Sequence, residues 1–203
     1  RDALIGESLS GISALPEGAR IGTASLRRRA QLLYLRPDLK IAMLRGNVGT
    51  RVRKVAEGKY DATLMAVAGL KRLDSTEHIA AALSPEEMLP AVAQGAIGIE
   101  CRSADSRTCT YLAALNHGES AQRLTAERTL LTVLDGSCRT PIAALAELDG
   151  EGRMRLRALI ARPDGSVIHR TERTGDADDG IAMGKDAGEE LRLTGGANFF
   201  APK

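Results

Sequence analysis

Two short arginine-bearing segments contain the residue types in this sequence best suited to bind an anion. They are residues 22–29 (GTASLRRR) and residues 45–51 (RGNVGTR). Each pattern is typical of a strand end, a polar turn and a helix start. Free N–H groups at a helix N-terminus favour anions, and a guanidinium binds carboxylates or phosphates through two parallel hydrogen bonds. The two segments therefore predict a site for a strongly anionic ligand.

Positive charge is concentrated around these segments. Between Arg20 and Lys54 there are eight Arg and two Lys but a single acid, so the local net charge is +9 in a chain whose total is +2. Arg27 and Arg28 fall in the first turn of a predicted helix, where the helix dipole disfavours cations. We therefore expect a compensating anion there. The plainer alternative, a solvated basic helix face, better suits Arg29.

A third candidate is Cys138, in the turn at residues 134–141 (LDGSCRTP). A single cysteine is by default a small buried hydrophobe. The nearby Gly136 and Arg139 instead favour exposure and thiolate formation, so a reactive thiol and a packing residue both stay open on this evidence. Cys101 and Cys109 are interpreted as ordinary packing residues. The three histidines are scattered and receive no catalytic role.

Both arginine segments lie in a region where strand and helix signals alternate along the chain. Such an order implies a parallel sheet with helices on its faces, and ligands bind beyond the carboxyl ends of its strands. Both arginine segments fall at those ends. The predicted strands are residues 20–23, 40–44 and 62–67, and the predicted helices are residues 25–35 and 48–58.

The rest of the chain predicts a different kind of architecture. Capping signals at residues 84–87 predict a helix start, and residues 94–101 predict a glycine-containing crossover into another strand. After a long helix, hairpin turns separate three strands and a last helix follows, which is an antiparallel α+β pattern. The predicted elements are the helix at 119–134, the strands at 141–148, 153–162 and 166–173, and the helix near 182–193.

Composition narrows the classes of protein and of site. Aromatic residues make up 2% of the 203 residues and Trp is absent, so the cores are aliphatic and single-stranded nucleic-acid binding is disfavoured. The three cysteines lack the spacing of a zinc site or a disulfide framework, which favours a reducing, cytoplasmic location. No apolar run is long enough for a membrane span. The chain begins at Arg1 rather than Met, and we expect a fragment or a processed product.

Several pieces of the sequence resemble the porphobilinogen deaminase family, also called hydroxymethylbilane synthases, and they occur in the same order as in that family. The resemblance covers most of residues 1–148 and implies the second and third of the family's three domains. The implied fold class is α/β: a periplasmic-binding-protein-like parallel-sheet domain, followed by a smaller α+β domain with a three-stranded antiparallel sheet and helices. The matching pieces are residues 21–28, 44–51, 60–62, 66–73, 89–95, 98–102 and 135–138.

The resemblance also implies the domain boundaries. Residues 1–93 would form the central domain, residues 94–116 a crossover that returns to a largely absent first domain, and residues 117–203 the C-terminal domain. The family's N-terminal segment, with an aspartate that manages protons, has no counterpart here. We therefore expect this chain to need a separate N-terminal segment for efficient catalysis, and the complete enzyme to be a monomer.

The function implied by the resemblance is a transferase of tetrapyrrole (haem) biosynthesis. It joins four porphobilinogen units into hydroxymethylbilane and releases ammonia, without a metal. The family's dipyrromethane cofactor, two linked porphobilinogen units, is attached through a cysteine thioether, and the matching cysteine here is Cys138. No catalytic residue is assigned, because the family's aspartate lies in the missing segment. The implied cofactor-binding residues are Thr23, Ser25, Arg27, Arg28 and Arg45, and the implied substrate-binding residues are Arg45, Arg51, Arg72 and Gln94.

Two other functions use the same arginines. A non-catalytic module that binds small polycarboxylates or phosphates would carry no adduct on Cys138. A nucleic-acid-binding protein would show strongly salt-dependent affinity, but the confinement of the arginines to strand ends counts against it.

Overall fold

Two sheets organise the part of the chain described by a computed structural model, which comprises residues 1–137 and 140–200. The first sheet contains β1 (Asp2–Gly6), β2 (Arg20–Gly22), β3 (Lys40–Ala42), β4 (Ala62–Ala66) and β5 (Ala81–Ala82), in the order β3-β2-β4-β1-β5. The second contains β6 (Ile142–Leu148), β7 (Arg153–Ala161) and β8 (Ile168–Asp176), in that order.

The helices are also divided between the two parts of the chain that contain these sheets. Along the chain, the strands of the first sheet alternate with α1 (Leu26–Leu35), α2 (Val48–Ala56) and α3 (Val67–Arg72). The second part contains α4 (Ser106–Ala113), α5 (Gly118–Val133) and α6 (Gly180–Gly195). Apolar side chains of α5 and α6, such as Leu130 and Leu191, form one aliphatic core with β7 residues such as Leu156. Within the described residues, no helix is both long and apolar enough to cross a membrane.

The parallel part of the first sheet is as the sequence predicts. β2 pairs in parallel with β3 on one side and with β4 on the other, and α1 and α2 are the connections. The sheet is mixed as a whole, because β1 pairs antiparallel with both β4 and β5. The sequence analysis did not anticipate β1, although the strand is buried from Asp2 to Ile5.

Two expected elements are absent, and each absence has a local reason. Residues 84–87 form a single turn rather than a helix. Ser84 and Glu87 do exchange the backbone-to-side-chain bonds of a capping box, both at 3.3 Å. Pro90 follows closely, however, and a proline disfavours helical conformation in the residue before it. The helix prediction was therefore wrong.

The strand expected within residues 94–101 is also absent. Residues 97–101 are exposed and take part in no backbone hydrogen bond with another described residue. A strand is stable only beside a partner strand, and neither described sheet presents one here. This prediction was wrong for the described part of the chain.

The two sheets are joined by a small shared core and by a close backbone approach. Ala30 of α1 and Leu89 pack with Leu159 of β7. The β7–β8 turn contains Gly165 at φ 74°, and a Cβ there would lie 2.6 Å from the Leu33 Cβ and 2.8 Å from the Ala30 carbonyl oxygen. Only glycine allows this turn to lie so close to α1.

A buried carboxylate makes a second connection. Glu127 of α5 is 4% exposed. It accepts a hydrogen bond from the Ala93 N–H at 2.7 Å and another from the Ala146 N–H at 2.8 Å. Ala93 itself has a φ of 60°, which is uncommon for a residue with a Cβ. One side chain thus holds together α5, β6 and the segment that follows the first sheet.

Candidate functional site

The two arginine segments begin helices at the same edge of the first sheet. α1 follows β2 and α2 follows the neighbouring β3. The Ser25 hydroxyl caps α1 by accepting from the Arg28 N–H at 3.4 Å, and the Asn47 side chain caps α2 by accepting from the Thr50 N–H at 2.9 Å. Thr23 is buried, and its Oγ1 accepts from the Ser25 N–H at 3.1 Å. Thr23 and Ser25 therefore set the start of α1.

A buried ion cluster lies under this helix start. Arg27 donates from Nη1 to Asp2 Oδ2 at 2.9 Å and from Nη2 to Oδ1 at 3.1 Å, and Arg28 Nε donates to Oδ1 at 2.7 Å. Asp2 is fully buried, and Arg27 and Arg28 are 5% and 9% exposed. Part of the compensating anion expected from the sequence is thus the protein's own Asp2. The sequence analysis missed this residue, although the uncompensated charges in the first turn of α1 signalled the need for one.

The pKa values of this cluster reflect opposing effects. Burial would raise the pKa of Asp2, but the charges and hydrogen bonds of Arg27 and Arg28 outweigh it, so the pKa lies below its ordinary value of 3.8. Burial lowers the pKa of Arg28; Asp2 opposes that shift, whereas the charges of Arg27 and Arg51 add to it. Two guanidinium groups face one carboxylate, so the cluster is still positive.

The internal hydrogen bonds of this cluster leave some of its donor groups unused. The terminal nitrogens of Arg27 also donate to the Leu89 carbonyl at 2.7 Å and to Gln94 Oε1 at 3.1 Å, and Arg28 Nη1 donates to the Leu64 carbonyl at 2.9 Å. No hydrogen bond between described residues uses Arg28 Nη2. Gln94 Nε2 is buried without a partner in the described part of the chain. Both groups are donors suited to an anionic ligand.

Arg27, Arg28 and Gln94 line a cleft of about 300 Å³ together with Ile142 at the start of the second sheet. Four of the predicted site residues line it together, and its other wall comes from the end of α5, the turn after it and the start of β6. The lining residues are Ser25, Arg27, Arg28, Ala91, Val92, Gln94, Leu131, Ser137, Thr140 and Ile142. The lining thus combines cationic and amide donors with apolar side chains and hydroxyl-bearing residues.

The remaining predicted arginines lie outside the lining of this cleft. Arg45 and Arg72 are exposed, and Arg51 is half-buried, with its Nε donating to the Gly46 carbonyl at 2.8 Å. None of these three arginines has a carboxylate partner among the residues that the structure covers. The influence of Arg51 on the pKa of Arg28 indicates that the two charges lie near each other. Arg45 and Arg51 thus extend the positive charge beyond the cleft, along the turn and the helix that follow β3.

Cys138, the predicted attachment site, lies outside the described residues together with Arg139. The residues on either side of this pair are described. Ser137 N–H donates to Thr140 Oγ1 at 2.8 Å, and Thr140 Oγ1 donates to the Ser137 carbonyl at 2.7 Å. Both flanking residues line the cleft. Within the described ranges, no group of three or more His, Cys, Asp or Glu side chains could hold a metal ion.

Family models match both parts of the chain. The model described as "Porphobilinogen deaminase, dipyromethane cofactor binding domain" matches residues 1–110. The model described as "Porphobilinogen deaminase, C-terminal domain" matches residues 121–192.

Curated relatives are similar over nearly the whole chain. "Porphobilinogen deaminase, chloroplastic" of Oryza sativa subsp. japonica is 52% identical over 202 residues, which are 98% of this chain and 56% of the relative. "Porphobilinogen deaminase" of Paracoccus denitrificans (strain Pd 1222) is 54% identical over 200 residues, 98% of this chain and 64% of the relative. The chloroplastic protein of Pisum sativum is 52% identical over 203 residues, 98% of this chain and 55% of the relative. The chain thus spans between 55% and 64% of the length of these relatives.

Proposed function

The chain belongs to the porphobilinogen deaminase family, and from that premise we propose that it forms part of an enzyme that joins four porphobilinogen units into hydroxymethylbilane with release of ammonia. The proposed activity is that of a longer protein of which this chain is a part, because the chain spans only part of the length of its relatives. One observation carries it: unused cationic and amide donors, apolar side chains, and the two described residues that flank Cys138 and Arg139 in sequence, Ser137 and Thr140, line one cleft.

The described residues fit a dipyrromethane group. Each of its two pyrrole rings bears an acetate and a propionate, so the group needs several donors for carboxylates and an apolar surface for flat rings. Arg28 Nη2 and the orphaned Gln94 Nε2 are suitable donors, and both residues line the cleft. Val92, Leu131 and Ile142 supply apolar lining. When bound, the dipyrromethane supplies the pyrrole position to which substrate units are added.

The chain's own residues divide the work of binding in this proposal. Arg28 and Gln94 hold carboxylates of the cofactor, because they retain free donors. Arg27 acts by fixing Gln94 through its bond to Oε1, since its terminal nitrogens are already engaged by Asp2, Leu89 and Gln94. A cofactor contact made by Arg27 itself stays a prediction, and so does one made by Thr23, whose hydroxyl supports the turn.

Residues beyond the cleft receive the substrate. Arg45 and Arg51 lie on the turn and helix after β3, without an acidic partner among the described residues. Their guanidinium groups are therefore available to the carboxylates of incoming porphobilinogen and of the growing chain. Arg72, at the end of α3, would serve a longer product. Cys138 is the attachment residue.

The alternative is a non-catalytic module for small polycarboxylates. Arg45, Arg51 and Arg72 favour it as well, because they have no carboxylate partner among the described residues and can bind anions without any chemistry. The two functions differ in their consequences, since only the enzyme consumes porphobilinogen and releases ammonia.

The test uses the protein extended at its N-terminus to the length of its relatives. The proposal expects porphobilinogen to be consumed with release of ammonia, and expects Cys138→Ser to abolish turnover. Cys109→Ser, assayed under reducing conditions, is the matched cysteine control and should stay active. Porphobilinogen binding without ammonia release by the extended parent would favour the non-catalytic module, and full turnover by Cys138→Ser would remove that cysteine from the function.

A further inference from the structure

A buried glutamine of α1 holds the backbone of Leu89. Gln31 is 4% exposed. Its Oε1 accepts a hydrogen bond from the Leu89 N–H at 2.9 Å, and its Nε2 donates to the Leu89 carbonyl at 3.0 Å. The side-chain amide thus pairs with both backbone groups of one residue, as a neighbouring strand does in a sheet. The sequence analysis assigned Gln31 no role.

The Leu89 carbonyl also belongs to the arginine cluster. Arg27 Nη1 donates to the same oxygen at 2.7 Å, and Arg27 Nη2 donates to Gln94 Oε1 at 3.1 Å. The position of Leu89 therefore helps to decide where the Arg27 guanidinium lies. The guanidinium in turn decides which end of the Gln94 amide accepts a hydrogen bond and which end donates one.

The segment 89–94 forms part of the cleft lining and is held from both parts of the chain. Glu127 of α5 holds it near its far end, and Gln31 of α1 holds its near end. Ala91 and Val92 lie between these two points and line the cleft. Gln31 itself is not among the described residues that line it. These hydrogen bonds are internal to the chain, so none of them depends on what covers its surface.

We propose that Gln31 is a positioning residue for the cleft. Through Leu89 and Arg27 it keeps the Gln94 amide where Nε2 can donate to a carboxylate of the dipyrromethane. This inference rests on the proposed function, in which Gln94 holds the cofactor. Gln31 acts only through its neighbours and touches neither cofactor nor substrate.

The proposal separates two kinetic effects. In the proposed function, incoming porphobilinogen is received by Arg45 and Arg51, which lie on the turn and helix after β3. Loss of the Gln31 bonds should disturb Gln94 and leave those two arginines in place. We therefore expect a fall in kcat without a matching rise in KM. A merely structural role would change the amount of folded enzyme, and not the kcat of each molecule that carries the cofactor.

Gln31→Met tests the proposal in the enzyme extended to the length of its relatives. The substitution removes both amide groups and keeps a side chain of similar length. We expect kcat per cofactor-carrying molecule to fall about tenfold, as for one misplaced hydrogen bond, with KM within about twofold of the parent's. Intact mass counts the molecules that carry the cofactor. Should Gln31→Met not fold, Gln31→Glu replaces it, because it keeps the acceptor for the Leu89 N–H and loses only the donor.

A second measurement does not use activity. Hydrogen–deuterium exchange of peptides that cover residues 86–94 should be faster in Gln31→Met, because the Leu89 N–H loses its acceptor. Unchanged exchange overturns the proposal whether or not the parent is active. A parent that consumes no porphobilinogen would instead contradict the proposed function.

A double-mutant cycle shows whether Gln31 acts through Gln94. Adding Gln31→Met to Gln94→Met should lower kcat no further than Gln94→Met alone, because the two residues act in series. Additive losses would overturn the proposal.

Gly152→Ala is the control for a general loss of stability. Gly152 has a φ of 79° in a hairpin turn of the second sheet, so the substitution strains the backbone away from the segment 89–94. It should keep the parent's kcat per cofactor-carrying molecule. An equal fall in kcat for Gly152→Ala and Gln31→Met, or an unchanged kcat for Gln31→Met, would overturn the positioning role.

Discussion

At the scale of single residues, the site depends on how two arginines are tolerated at the start of α1. The sequence predicted that Arg27 and Arg28 require an anion, and it placed them correctly in the first turn. It did not identify Asp2, because that pairing exists only when β1 lies antiparallel beside β4, which is a long-range arrangement. An ion pair of this kind cannot be found from local spacing.

Replacing Asp2 with Asn should destabilise the fold strongly. The substitution leaves two buried guanidinium groups without their counter-charge, and breaking a buried pair costs about 3–5 kcal/mol. The pKa of Asp2 is lowered in the folded state, so its contribution is present above the ordinary value of 3.8 and is lost as the pH falls through the folded value. Denaturant unfolding at several pH values should therefore show a smaller loss of stability in acid for the variant than for the parent.

Asp38→Asn is the control for this experiment. Asp38 is also paired with an arginine, Arg36, at 2.7 Å, but that pair lies at the surface. Its removal should change stability much less than Asp2→Asn does. Equal losses from the two variants would show that burial of the Asp2 cluster contributes little.

Arg45→Leu should impair turnover of the extended enzyme without unfolding it. Arg45 is exposed and has no acidic partner among the described residues, so the fold does not depend on its charge. Loss of a charge-assisted hydrogen bond to substrate costs about 1.5–3 kcal/mol, or about 10- to 100-fold in kcat/KM. Steady-state kinetics measure the effect. Arg29→Leu, at another exposed arginine of the same basic region, should leave kcat/KM near that of the parent, and equal losses would indicate only a general charge effect.

At the scale of elements, the sequence predicted most of the helices and strands that carry the site. α1, α2 and the three parallel strands follow from hydrophobic spacing and capping residues, which act locally. β1, β5 and the absence of a strand at 97–101 could not be predicted in this way. Each depends on whether a partner strand lies beside it. The capping residues at 84–87 led to the wrong prediction of a helix, because Pro90 limits this segment to one turn.

Gly165→Ala should loosen the contact between the β7–β8 turn and α1. The new Cβ would have to adopt a φ of 74° and would also collide with the Leu33 Cβ and the Ala30 carbonyl. We expect a loss of about 2–4 kcal/mol in the free energy of unfolding, from backbone strain and steric overlap together. Chemical denaturation measures it.

Gly152→Ala separates the two causes. Gly152 has a φ of 79° in another hairpin turn, but a Cβ there would meet no atom within 4 Å. Its loss should be about 1–2 kcal/mol, from backbone strain alone. If both variants lose the same amount, the close approach to α1 does not contribute.

Glu127→Gln should change how stability depends on pH, in the direction opposite to Asp2→Asn. Burial raises the pKa of Glu127 above its ordinary value of 4.5, although two backbone N–H groups oppose the shift. The folded protein therefore binds this proton more tightly than the unfolded chain does. That stabilising contribution is full below pH 4.5 and is lost as the pH rises through the folded value.

The glutamine variant cannot ionise, so this part of the pH profile should flatten. Its amide also replaces one acceptor by a donor facing a backbone N–H, which should cost about 1–3 kcal/mol. Thermal unfolding across pH gives both effects. Glu119→Gln, at an exposed position of the same helix, is the matched control for the loss of a carboxylate. An unchanged profile for Glu127→Gln would contradict the account.

At the scale of the whole molecule, the cleft exists because two differently built sheets meet. The first sheet supplies the arginine turns, and the α5–β6 connection supplies the opposite wall. The sequence could predict both architectures, but not the contact between them, which depends on the shared core around Leu89 and the Glu127 bonds. The division of the chain at residues 93 and 117 stays a prediction.

The most direct test of the central claim is the intact mass of the purified enzyme, extended to the length of its relatives, beside its Cys138→Ser variant. The account predicts that the parent carries an excess mass of two linked pyrrole units and that the variant has only the mass of its polypeptide. An active parent without this excess, or the same excess on the variant, would contradict attachment of the cofactor at Cys138.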